Sequence, residues 1–307
     1  MKKLYAVFMV ICMAALVSCF SPWEGGEGTI RLEFSGISRA FVPLDNGDYK
    51  LLDITLTGPG GRELRETVTM PTENGIPRAV RIAVTPGDWI VSVREFRAAG
   101  LEAIGFSEPV TVRAGQSVGA SVQMMAAIEV SSFEEFGPAL SFSQVLVLTG
   151  NIVDAGPFEI EGTDITLISD GDFSIIRPQT YPNIFHELLM IRGSGRLTLG
   201  MPGMSGSITI DGAGVEVQNS LIYIATGTLV MHSGVTLTRG YIAEGVTGIT
   251  GSAVTVGQNG SFTMHGGTIS GNYGGRGAVV VNQDREFDWR GGTISGNSPD
   301  NVYYHYW

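Results

Sequence analysis

Two hydrophobic patterns divide the chain. From residue 28 to about 125, apolar and polar residues alternate: Ile30, Leu32 and Phe34; Leu52, Ile54 and Leu56; Val80, Ile82 and Val84; Trp89, Val91 and Val93; Val118, Ala120, Val122 and Met124. A period of two marks strands with one buried face. Gly58-Pro59-Gly60-Gly61, Pro86-Gly87 and Gly115-Gln116 fall between the runs, where turns belong. About seven short strands with regular turns predict a small β-sandwich over 28–125.

Beyond about residue 140 the apolar runs shorten and glycines become denser. Segments 188–199, 221–231, 253–264 and 278–289 share one pattern: alternating apolar positions, a short Gly or polar turn, then apolar-x-apolar. The phrase GSFTMHGGTISGN at 260–272 returns as REFDWRGGTISGN at 285–297, 25 residues later. A repeat of this length signals stacked coils, because one coil has nothing of its own against which to bury its apolar face. Stacking places Leu197, Leu229, Phe262 and Phe287 in one inward column. Leu199, Met231, Met264 and Trp289 form another, with about 4.8 Å between coils. Asn272 and Asn297 fall at one corner, where amides can form a ladder. A helical turn is expected around Ser132–Phe136, and NVYYHYW (301–307) reads as an aromatic strand capping the open end. The predicted fold is all-β: a small β-sandwich followed by a right-handed parallel β-helix over 126–307.

Composition narrows the function classes. The net charge is −11, and Lys50 is the only lysine after Lys2 and Lys3. Phosphate-backbone recognition needs clustered cations, so nucleic acid is excluded as a partner. The two cysteines are Cys12 and Cys19. Lys2 and Lys3 precede an apolar run over 4–17, which is too short to span a bilayer as a helix and ends in LVSC at 16–19.

That ending resembles the bacterial lipobox. The resemblance implies a signal peptide over 1–18, a lipidated Cys19 as first residue of the mature chain, and a tether over 19–27. It implies a membrane partner through the acyl anchor and export to the cell envelope, at the outer membrane or cell surface. Segments 80–96 (VRIAVTPGDWIVSVREF) and 110–124 (VTVRAGQSVGASVQM) resemble transthyretin-like or carboxypeptidase-regulatory-like sandwiches. FTMHGGTISGN is similar to the GGTISGN-type repeats of exported bacterial proteins, spirochaete surface lipoproteins among them. Those repeats are of the pectate-lyase-like right-handed β-helix type. The resemblance implies adhesion, glycan contact or surface structure, with a glycan or a host or envelope protein as partner. The alternative it carries is a polysaccharide lyase or glycoside hydrolase.

Candidate chemistry is sparse. A lyase places acidic residues and a base on one outer face, and the best such cluster is Asp284, Asp288 and Arg290, flanked by Arg285 and Glu286. Phe287 and Trp289 are expected inward, so Asp288 and Arg290 point out. Neighbouring coils carry Val230 and Thr263 where Asp288 stands, so no acidic column forms. Asp170 and Asp172 flank a glycine as a hydrolase pair would, and as a turn would. His232 and His265 occupy equivalent repeat positions, with Arg290 next in the column. This is a candidate outer-face binding ladder, but it lacks a third metal ligand and brings a cation beside the pair. No phosphate loop, GxSxG or HExxH occurs. Neither a metal nor a cofactor is expected.

Overall fold

The computed structural model describes residues 26–36, 50–70, 80–97, 100–142, 144–179, 187–204, 206–246, 248, 250–282 and 286–305. Cys19, Asp284, Arg285, Tyr306 and Trp307 lie outside the described residues. The fold is all-β, and the only α-helix among the described residues is Phe133–Ala139. Ser132 caps that helix. Its Oγ accepts the Glu135 N–H at 3.3 Å, while the Glu135 carboxylate accepts the Ser131 N–H at 2.8 Å. The chain forms two compact units. Among the described residues, one holds those up to 93 together with 105–124, and the other holds 94–104 and those from 125 onward.

In the first unit Gly28–Gly36 runs antiparallel to Val80–Val84 and parallel to the start of Ser117–Val130. Lys50–Thr57 pairs antiparallel with Glu63–Met70, and the start of Gly87–Arg97 pairs antiparallel with Val110–Val112. The period-two positions turn one face inward, and Ile30, Leu32, Leu52, Ile54, Leu56, Val91, Val93 and Val122 are buried. Trp89 fills the centre, and its indole N–H donates to the Thr85 carbonyl at 2.9 Å. Gly58 lies flat against this ring, since a Cβ there would come within 2.5 Å of it.

The second unit is a stack of parallel rungs. Asp164–Ser169, Arg196–Leu199, Thr228–Met231, Ser261–Met264 and Glu286–Trp289 follow one another in register. A second series comprises Phe158–Glu161, Leu189–Arg192, Ile222–Ile224, Val254–Val256, Val279–Asn282 and Val302–His305. The third comprises Asp172–Ile176, Ser207–Asp211, Val235–Thr238, Thr268–Ser270 and Thr293–Ser295. Leu197, Leu229, Phe262 and Phe287 lie over one another, as do Leu199, Met231, Met264 and Trp289. One continuous apolar core runs through the coils from Val130 to Ile294. The expected asparagine ladder is present: Asn272 Nδ2 donates to Asn297 Oδ1, and Asn297 Nδ2 to Asn301 Oδ1, each at 3.0 Å.

The end of the stack departs from expectation. Phe287 stacks on Phe262 with centroids 4.9 Å apart and is only partly buried. Trp289, expected inward, is 49% exposed. It sits in the inward column, but among the described residues no rung lies beyond it. Val302–His305 forms the next rung over Val279–Asn282 and does not lie across Phe287 and Trp289 as a lid. Tyr304 is itself 46% exposed.

Candidate functional site

Just past the inward methionines, each coil places one residue at an outer corner. The N–H of His232 donates to Leu199, that of His265 to Met231 and that of Arg290 to Met264, at 2.9, 2.8 and 2.9 Å. Equal hydrogen-bond positions in successive rungs therefore bring the three predicted ladder residues into one column. The imidazoles stack with centroids 5.0 Å apart and planes 8° from parallel. His232 is partly buried and His265 exposed. Burial, then the positive charges of His265 and Arg196, push the His232 imidazole below its usual protonation range. A groove of about 440 Å³ opens beside the pair, lined also by Met201, Pro202, Gly203 and Met204.

Arg290 is engaged within its own rung. Its Nε donates to Asp288 Oδ2 at 2.6 Å, and this bond and charge hold the guanidinium above its usual range. Arg290 directly follows the strand Glu286–Trp289 that carries Asp288, so this pairing is local. Val230, Thr263 and Asp288 share one column, so the carboxylate has no acidic neighbour in the preceding rungs. Asp284, the third member of the predicted cluster, lies outside the described residues. Asp170 is held by Arg94, and Asp172 accepts the Ser207 hydroxyl at 2.7 Å. Both carboxylates of the hydrolase pair are thus engaged within the second unit. Among the described residues no group of three or more His, Cys, Asp or Glu gathers around a metal-sized site.

Two features escaped the sequence reading. The first is a rank of hydroxyls on the third series of rungs. Ser174, Thr209, Thr236, Thr268 and Thr293 stand in register, and their inward neighbours Ile175, Ile210, Leu237, Ile269 and Ile294 are buried. Two residues further along, Thr238, Ser270 and Ser295 form a second rank. Asp211, one rung below Thr238, is neutralised by Arg239. Hydroxyls therefore recur about every 4.8 Å along the stack and roughly 6.5 Å across it. The signal was the T-x-[TS] triplet repeated in TLT, TIS and TIS. The second feature is the pair of methionines facing the histidine ladder. They belong to an insertion between rungs, whose landing place no periodicity reports.

No helix among the described residues is long and apolar enough to cross a membrane. No protein-family model, curated protein or solved structure matches the chain.

Proposed function

We propose that this is a non-enzymatic, lipid-anchored protein of the cell envelope whose β-helix makes contact with extended neutral glycans. The carrying observation is the double rank of hydroxyls over Thr236–Ser295. It is periodic and carries no charged residue across these three rungs, in a chain whose net charge is −11. Acidic polymers would be repelled by the chain as a whole, whereas neutral sugars meet donors and acceptors at a spacing of the order of one sugar unit per rung. Each hydroxyl contact contributes about 0.5–1.5 kcal/mol net, so affinity comes from a run of contacts along the stack.

The anchor reading rests on Lys2, Lys3, the apolar run over 4–17 and the LVSC ending at Cys19. Two or three acyl chains, each contributing about 0.8 kcal/mol per buried methylene, hold a protein durably on a membrane. The non-enzymatic reading is supported by the engagement of Asp288 with Arg290, of Asp170 with Arg94 and of Asp172 with Ser207. The pectate-lyase-like kinship suggested by the GGTISGN repeats is retained as architecture, without the lyase chemistry.

Metabolic palmitate labelling with Cys19→Ser as the control tests the anchor. Saturable binding on an array of neutral and uronic-acid glycans, combined with an assay for new reducing or unsaturated ends, tests the rest. Replacing Thr236, Thr268 and Thr293 by valine should weaken neutral-glycan binding by roughly two- to tenfold per hydroxyl. Turnover of any polymer, or binding indifferent to the triple valine variant, would overturn the proposal.

A further inference from the structure

The histidine ladder meets donors that were not visible beside it in the sequence. Met201-Pro202-Gly203-Met204 is a tight turn: the Met204 N–H donates to the Met201 carbonyl at 3.2 Å, and Gly203 has φ +79°. Proline at the first central position and a positive-φ glycine at the second are the requirements of a type II turn. A turn of this kind holds its first and last Cα atoms close together, so both methionine side chains start from one place.

Packing pins that turn against the coil that carries His232. Before the turn, a Cβ on Gly200 would lie 3.5 Å from the His232 Cβ. At its end, the Met204 methyl would be 3.0 Å from a Cβ on Gly234. Met204 is also anchored from below, since its sulfur accepts the Ser169 N–H at 3.3 Å and its side chain packs on the core. Both imidazoles and both methionines therefore line the same groove.

We propose that His232, His265, Met201 and Met204 form a binding site for a soft monovalent metal ion, with copper(I) as its chemical type. This goes beyond the glycan reading and does not depend on it. Thioethers select copper(I) over the harder divalent ions, and imidazole serves copper well. Among the described residues no carboxylate or thiolate lines the groove, so the donor set is imidazole and thioether. The positive charge of Arg196, felt at His232, also disfavours a dication more than a monocation. Arg290, the next residue in the column, is neutralised by Asp288. Metal–imidazole bonds of about 2.0 Å require the two coordinating nitrogens to lie within about 4 Å of each other. The rings stand 5.0 Å apart and 8° from parallel, so both imidazoles must swing toward the groove for two nitrogens to converge on one ion.

The test uses the full chain with Cys12→Ser and Cys19→Ser, so that thiols do not compete. Anaerobic copper(I), held reduced by ascorbate, is titrated against bicinchoninate, and silver(I) serves as a redox-inert second probe. One ion per chain is expected. Affinity should fall at least tenfold in His232→Gln, in His265→Gln and in the Met201→Leu/Met204→Leu double variant. X-ray absorption should show both nitrogen and sulfur neighbours. Thermal melts confirm that each variant folds, and Met201→Leu alone, at a partly exposed turn residue, gives a readout that does not disturb the core. Binding that is equal in the methionine variants, a shell without sulfur, or no saturable copper(I) in the parent chain would overturn the proposal.

Discussion

Asn272→Ala removes one side chain that serves three coils. Asn272 is 1% exposed. Its Oδ1 accepts the Gly240 N–H at 2.9 Å, and its Nδ2 donates to the Leu237 and Ser270 carbonyls and to Asn297 Oδ1 at 3.1, 3.2 and 3.0 Å. Alanine leaves the Gly240 N–H and the Leu237 carbonyl without these partners in a buried site. A buried unsatisfied group costs about 1–3 kcal/mol. With the lost bond to Asn297, the expected destabilisation is about 2–4 kcal/mol. Asn297 makes a similar set of bonds at a partly exposed corner, where water substitutes, and Asn297→Ala should cost about 1 kcal/mol. Denaturant unfolding followed by tryptophan fluorescence measures the global loss. Hydrogen exchange at the Gly240 amide measures the local one, since about 3 kcal/mol corresponds to roughly hundredfold faster exchange through opening. A loss below about 0.5 kcal/mol, or a larger cost at Asn297 than at Asn272, would refute the claim that the buried amide ties the coils.

Phe262 is fully buried between Leu229 and Phe287, so Phe262→Ala should cost about 3–5 kcal/mol, while half-exposed Trp289→Ala should cost under about 1 kcal/mol; melting curves that rank them the other way would sink the stacked-column account. His232 is protonated less readily in the fold than in the unfolded chain, because burial and the charges of His265 and Arg196 oppose the imidazolium. On acidification the unfolded chain therefore takes up this proton first, so the stability linked to His232 is complete above about pH 6.5 and declines as pH falls through the lower folded value. His232→Gln should flatten that decline in melting temperature between neutral and acidic pH, and parallel profiles for the two proteins would contradict it. Ser132→Ala removes the helix cap at Glu135 N and should cost about 1 kcal/mol, read as a lower denaturation midpoint with an unchanged slope.

The alternation of Leu52, Ile54 and Leu56, and the return of Phe262 as Phe287, were enough to assign strands, rungs and inward columns. Such patterns are legible because burial acts on every second residue of a strand and on the same residue of every coil. The Asn272–Asn297 ladder was legible for the same reason. Trp289 falls in the inward column that the repeat predicts yet stays exposed, because a repeat specifies which way a side chain points, whereas the presence of a covering rung is a property of the whole stack. The pairing of Asp288 with Arg290 depends on side-chain rotamers, which no spacing reports. The T-x-[TS] triplets were in plain view, yet only parallel pairing turned them into a two-dimensional array of hydroxyls. Local periodicity thus determined the rungs and their cores. What Met201 and Met204 face was decided by tertiary packing alone, because an insertion between rungs obeys no period and comes to rest wherever Gly200 and Gly234 leave room for it.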